Sequence, residues 1–169
     1  MQRPCSRAAD LAKPRGSGYV GAVSAHTAQQ GDRLTATSAI ARHLEHARRN
    51  LARVTAEQAF SELQQGALLI DTRTFEQRRL QGDVPGARCI DRTVFEWRLD
   101  PTSRRHIPEV EGSETRIIVM CRQGYSSSLA AASLQAIGLT RVTDIIGGFQ
   151  AWRDAGLPVT PFVDPGHPE

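Results

Sequence analysis

Three short apolar runs, ALLID (67–71), TRIIVM (115–120) and RVTDII (141–146), each lead within a few residues into a segment of helical character. Runs of this length and apolarity, bounded by turn residues, read as buried strands. A strand that re-enters its sheet after a helix lies parallel to the one before, because the helix carries the chain back. The pattern therefore specifies an α/β fold with a mostly parallel sheet.

The remaining segments fit the same alternation. Thr55 and Gln58 form a capping-box pattern that opens a helix running through Leu63 and ended by Gly66. FEQRRL reads as a helix, GDVPGA as a turn around Pro85 and Gly86, ARCI as a short strand, and RTVFEWRL as a helix with Trp97 as a packing anchor. Residues 101–114 read as a loop. SSSLAAASLQAI is a helix closed by Gly138, and FQAWRDA, after Gly147 and Gly148, is a last helix closed by Gly156. Near the start, Ile40, Leu44, Ala47 and Leu51 recur at helical spacing. This gives a single domain over 37–160, opened by a leading helix over 37–50. A flexible N-terminal extension is expected over 1–36 and a C-terminal tail over 161–169.

Composition narrows the function. The 169 residues, 40% of them hydrophobic, suffice for one domain with a real core. The net charge of +3 comes almost wholly from arginine, Lys13 being the only lysine. No basic run is interleaved with aromatic residues, so no nucleic-acid partner is expected. No apolar run approaches a membrane span, and the N-terminus lacks the apolar core of a secretory signal, so no membrane association is expected. The three cysteines, Cys5, Cys89 and Cys121, show no CxxC spacing, which argues against a disulfide framework or a structural zinc and fits a reducing cytoplasm. His43 and His46 share a helix face with no third ligand nearby, so neither a metal nor another cofactor is expected.

The chemistry concentrates at Cys121. It follows the most apolar strand and precedes a helix, and ligand sites of open parallel sheets lie off the carboxyl ends of the strands. The loop RQGYS can converge its amides on an anion, and the helix start adds its own unpaired N–H groups and dipole. A thiol in such a field is stabilised as thiolate, the nucleophilic form. Gly124 allows close backbone approach and positive φ, Ser126, Ser127 and Ser128 offer hydroxyls and helix caps, and Arg122 adds a fixed cation. Cys89 has no such loop after it and reads as a small buried hydrophobe. A cysteine-dependent phosphatase would carry Arg at the sixth residue after the nucleophile, and that residue here is Ser127.

Four segments in order, LLIDTR (68–73), GDVPGARCI (82–90), CRQGYSS (121–127) and IIGGFQAWRDAGLPV (145–159), resemble the rhodanese (thiosulfate sulfurtransferase) family in its single-domain form, over roughly residues 50–160. The resemblance implies a rhodanese-like α/β fold with a central five-stranded parallel sheet and helices on both faces. It implies Cys121 as catalytic residue, carrying sulfur as a persulfide, with Arg122, Gln123, Gly124, Tyr125, Ser126 and Ser127 around the substrate. The expected substrates are a small anionic donor such as thiosulfate and a thiol or cyanide acceptor, with a sulfur-relay protein as a possible partner. Asp71 and Arg73, at the end of their strand, are expected to pair and hold the loops, and Arg92 to border the mouth of the pocket. Asp83 stands where the family signature has His. A non-catalytic rhodanese-like binding module and, less well matched, a phosphatase or arsenate reductase remain as alternatives.

Overall fold

The computed structural model describes residues 38–164. The expected N-terminal extension and the end of the expected tail lie outside the described residues.

Local sequence rules account for the helices. Ser38 caps helix α1 (Ala39–Arg48), its hydroxyl accepting from the Ala41 amide. The expected capping box of α2 (Ala56–Gln64) is present, the Thr55 hydroxyl accepting from the Gln58 amide and the Gln58 side chain from that of Thr55. Thr74 and Gln77 form a second one at α3 (Phe75–Gln81). Helices α4 (Phe95–Leu99), α5 (Ser126–Ala136) and α6 (Gly148–Asp154) complete the set. The strands are β1 (Leu68–Asp71), β2 (Arg88–Cys89), β3 (Ile117–Met120) and β4 (Val142–Asp144).

Among the described residues the sheet has four parallel strands in the order β2-β1-β3-β4, not five. What stands beside β4 is a single parallel bridge, Val54 to Ile145. The Val54 amide donates to Asp144 O at 3.2 Å and the Ile146 amide to Val54 O at 2.9 Å. Thr55 already caps α2, so the chain turns away after one paired residue.

Alternation along the strands divides the core in two. Ile70, Ile117, Val119 and Val142 face Phe95 and Leu99 of α4 and Ala130, Ala131 and Leu134 of α5. Leu69, Ile118, Met120 and Ile145 face Ala56 and Ala59 of α2 and Phe149 and Trp152 of α6. Trp152 is fully buried and its indole N–H donates to Pro158 O at 3.0 Å.

Two packing expectations fail. Trp97 is 62% exposed, because Phe95 and Leu99, four residues apart, take the inward face of α4. Cys89 is exposed rather than buried, since β2 is an edge strand of two residues. Helix α1 is also shorter than 37–50 and buries none of its own residues. It lies on α5.

Candidate functional site

Strand β3 ends at Met120, in register with Asp71 of β1, and the chain enters the cysteine loop at the carboxyl edge of the sheet. The loop closes against the Gly147–Gly148 turn. Gly124 has φ 75°, and a Cβ there would lie 2.7 Å from the Gly147 amide nitrogen. A Cβ on Gly148, at φ 59°, would collide with the Cys121 carbonyl oxygen. Glycine is required at both positions by conformation and by space.

The loop carbonyls are held outward. The Phe149 amide donates to Cys121 O at 2.8 Å and the Gln150 amide to Arg122 O at 3.0 Å. Gly124 O accepts from Arg48 Nη2 at 2.7 Å and Arg53 Nη2 at 3.1 Å. In a planar trans peptide the N–H points opposite to the C=O, so the amides of Arg122, Gln123 and Tyr125 turn the other way. The Gly124 amide donates directly to Cys121 Sγ at 3.2 Å.

The sulfur is buried, with the residue 6% exposed. Burial alone would push the thiol pKa up. Hydrogen bonds from the Ser126 hydroxyl and from the Ser127 and Gln123 backbone outweigh it, and the pKa lies below the ordinary thiol value. The arrangement lowers the thiol pKa against the cost of burial.

A buried charge network supports the loop from beneath. Ser127 Oγ accepts from the Cys121 thiol at 3.2 Å and donates to Asp144 Oδ2 at 3.0 Å. Ser128 Oγ donates to the same carboxylate oxygen at 2.8 Å. Arg53 grips Asp144 from the other side, Nε to Oδ1 at 2.7 Å and Nη2 to Oδ2 at 3.0 Å. Asp144 is wholly inaccessible, and its carboxylate accepts four hydrogen bonds, one on Oδ1 and three on Oδ2.

The serines do not cap α5. Tyr125 occupies the cap position without a side-chain bond, and the three serines form the first turn. Their hydroxyls serve the sulfur and Asp144 instead. Of the other residues singled out in the loop, Arg122 and Gln123 are exposed, and Tyr125 is 60% exposed with Arg48 over its ring.

Asp71 and Arg73 form a buried pair, Arg73 Nη2 and Nε donating to Asp71 Oδ2 at 2.7 and 2.9 Å. Arg73 also donates to Gly82 O at 3.0 Å and stacks 3.6 Å from the Phe149 ring centroid, so the pair fastens β1 to the turn after α3 and to α6. Arg92 pairs with Glu96 at 2.8 Å and lies over Phe95, rather than against the cysteine loop.

Arg48, Arg53 and Asp144 escaped the sequence reading as site residues. Asp144 carried a signal, a carboxylate at the end of a buried strand. The arginines carried none, being 76 and 71 residues from Gly124. Among the described residues no group of three His, Cys, Asp or Glu is placed to hold a metal ion, and no helix is long and apolar enough to cross a membrane.

The family model of the rhodanese-like domain matches residues 55–155. The thiosulfate sulfurtransferase GlpE of Haemophilus influenzae is 33% identical over 106 residues, 63% of this chain and 91% of that protein. Among solved structures, a protein of unknown function from Rhodopseudomonas palustris, described as a possible tyrosine phosphatase, superposes with a TM-score of 0.66 at 30% identity, covering 75% of this chain and 97% of that one. The polysulfide-sulfur transferase homodimer of Wolinella succinogenes shares the fold, with a TM-score of 0.59 at 20% identity over 86% of this chain and 100% of that one.

Proposed function

Because the chain belongs to the rhodanese-like domain family, we propose that it is a sulfurtransferase in which Cys121 carries the transferred sulfur as a persulfide. The observation that carries this reading is the single loop that both buries Cys121 Sγ and turns hydrogen-bond donors toward it, lowering the thiol pKa.

The cycle has two halves. The Cys121 thiolate attacks the outer sulfur of thiosulfate or a similar anionic donor. A sulfur–sulfur bond forms to Cys121, the donor's own sulfur–sulfur bond breaks, and sulfite leaves with its electron pair. The acceptor, cyanide or a thiolate, then attacks the outer sulfur and returns the electron pair to Cys121. Both forms of the residue carry negative charge, and the same amides and hydroxyls stabilise each, so the loop need not reorganise between halves. Asp144 and Arg53 act at one remove by fixing Ser127 and Gly124. Arg122, exposed at the rim, orients the anionic donor.

The phosphatase reading suggested by the Rhodopseudomonas neighbour's description fits less well, because Ser127 stands where the phosphate-clamping arginine would be. A non-catalytic module has no use for an activated thiol. Incubation with thiosulfate is expected to add one sulfur to Cys121, read by intact mass, and cyanide is expected to discharge it as thiocyanate. Hydrolysis of an aryl phosphate without sulfur uptake would overturn the assignment in favour of a phosphatase.

A further inference from the structure

An apolar pocket of about 430 Å³ opens beside the cysteine loop, lined by Ile40, Ala41 and Leu44 of α1 and by Tyr125, Ser126 and Leu129. Ile40 and Tyr125 are 62% and 60% exposed, so apolar surface stands in water here that a ligand would cover at a gain. The pocket adjoins the reacting centre, because Tyr125 and Ser126 of its lining lie on the segment that runs from Cys121 into the first turn of α5. Its outer wall, α1, lies upstream of the segment shared with the family. Arg48 fastens that wall to the loop, donating to Ser128 Oγ at 3.0 Å and to Gly124 O at 2.7 Å.

We propose that this pocket holds the body of an apolar organic thiol that acts as the sulfur acceptor. The inference deepens the sulfurtransferase reading and rests on it. Its walls are hydrocarbon, from Ile40, Leu44 and Leu129, and its rim at Tyr125 and Ser126 belongs to the loop that carries the exposed Arg122 cation. The complement is a thiolate with an apolar tail, its sulfur at the loop and its carbon chain against α1. Cyanide and thiosulfate, small hydrated anions, gain nothing from an apolar wall. Size separates a small molecule from a protein partner: the cavity falls within the range of about 300–1,000 Å³ for small-molecule sites. A stable protein partner would cover about 800 Å² on each side, far more than this concavity presents.

The step balances. The acceptor thiol passes its proton to the Cys121 persulfide anion, and its thiolate attacks the outer sulfur of the hydropersulfide so formed. The new sulfur–sulfur bond leaves an organic hydropersulfide, while the bond to Cys121 breaks and returns its electron pair as thiolate.

The test is an acceptor series on the full chain loaded with thiosulfate: cyanide, 2-mercaptoethanol, and propane-, butane- and pentanethiol. The kcat/KM relative to cyanide is expected to rise up to about fourfold per methylene along the alkyl thiols. Ile40→Ser and Leu44→Ser, substitutions at exposed or half-buried positions, are each expected to flatten that slope. A wild-type series with no dependence on chain length, or variants that keep the full slope, would overturn the proposal. So would a dimer that both variants dissociate, which assigns the patch to a second copy of the chain. If Cys121 takes up no sulfur at all, the sulfurtransferase reading fails separately. Methyl chemical shifts of Leu44 and Leu129 under pentanethiol then decide the pocket alone: movement sustains it, and constancy removes it.

Discussion

Cys89 and Cys121 stand at the same edge of the same sheet, each at the carboxyl end of a parallel strand, and their thiols are shifted in opposite directions. At Cys89 desolvation raises the pKa, and the Asp71 carboxylate adds to the rise, although the residue presents part of its surface to water. At Cys121 desolvation is overcome by hydroxyl and amide donors. Location at a strand end therefore does not activate a thiol. What differs is the loop that follows: after Cys121 the carbonyls are tied outward to α6 and to two arginines, and after Cys89 no comparable arrangement exists among the described contacts.

The contrast can be broken most directly by deleting each sulfur. Cys121→Ser is expected to abolish thiocyanate formation, while Cys89→Ser keeps it within about twofold, the range of a surface substitution. Loss of activity in the second variant would show that the two thiols work together. Next in size, Gly148→Ala places a methyl group against the Cys121 carbonyl at positive φ. It is expected to lower sulfur transfer about 100-fold through misplacement of the sulfur and to cost about 3 kcal/mol of stability. Thiocyanate assays and urea unfolding read the two effects, and wild-type values in both would mean that the loop adapts.

The smallest effect sharpens the contrast most. Alkylation by iodoacetamide, mapped by peptide mass across pH, is expected to reach half its limiting rate at lower pH for Cys121 than for Cys89. The opposite order would remove the electrostatic account. Linkage fixes the accompanying signs. The folded pKa of Cys121 is depressed, so its contribution to stability is present above the unfolded thiol value and is lost as pH falls through the folded value. The folded pKa of Cys89 is raised, so stability falls as pH climbs from the unfolded value towards the folded one.

The fold was legible in the sequence wherever short-range chemistry decided it. Thr55 with Gln58 marked a helix start because the two side chains satisfy each other's orphan amides three residues apart. The four named strands lie within the segments read as strands, ALLID, ARCI, TRIIVM and RVTDII. The fifth strand came from family resemblance, and here one residue has room to pair before α2 begins. Trp97 misled because bulk alone was weighed, whereas the helical spacing of Phe95 and Leu99 selects the inward face. At the site, the composition of the loop showed where an activated sulfur belongs. The residues that lock that loop were invisible for a topological reason. Arg53 meets Asp144 only after the sheet has folded, across 91 residues of chain. The serines were read as caps from local preference, and the buried Asp144 carboxylate claimed two of their hydroxyls.

The lone bridge at Val54 has a consequence for how these molecules behave in a crowd. The sheet's two rims are where a neighbour's backbone would zip on. One rim is a strand of two residues carrying the arginine of the Arg88–Glu109 pair, and the other is plugged at Val54 by two hydrogen bonds before the chain leaves. Neither offers a long ladder of free amides, so this architecture resists growing into fibrils by strand addition.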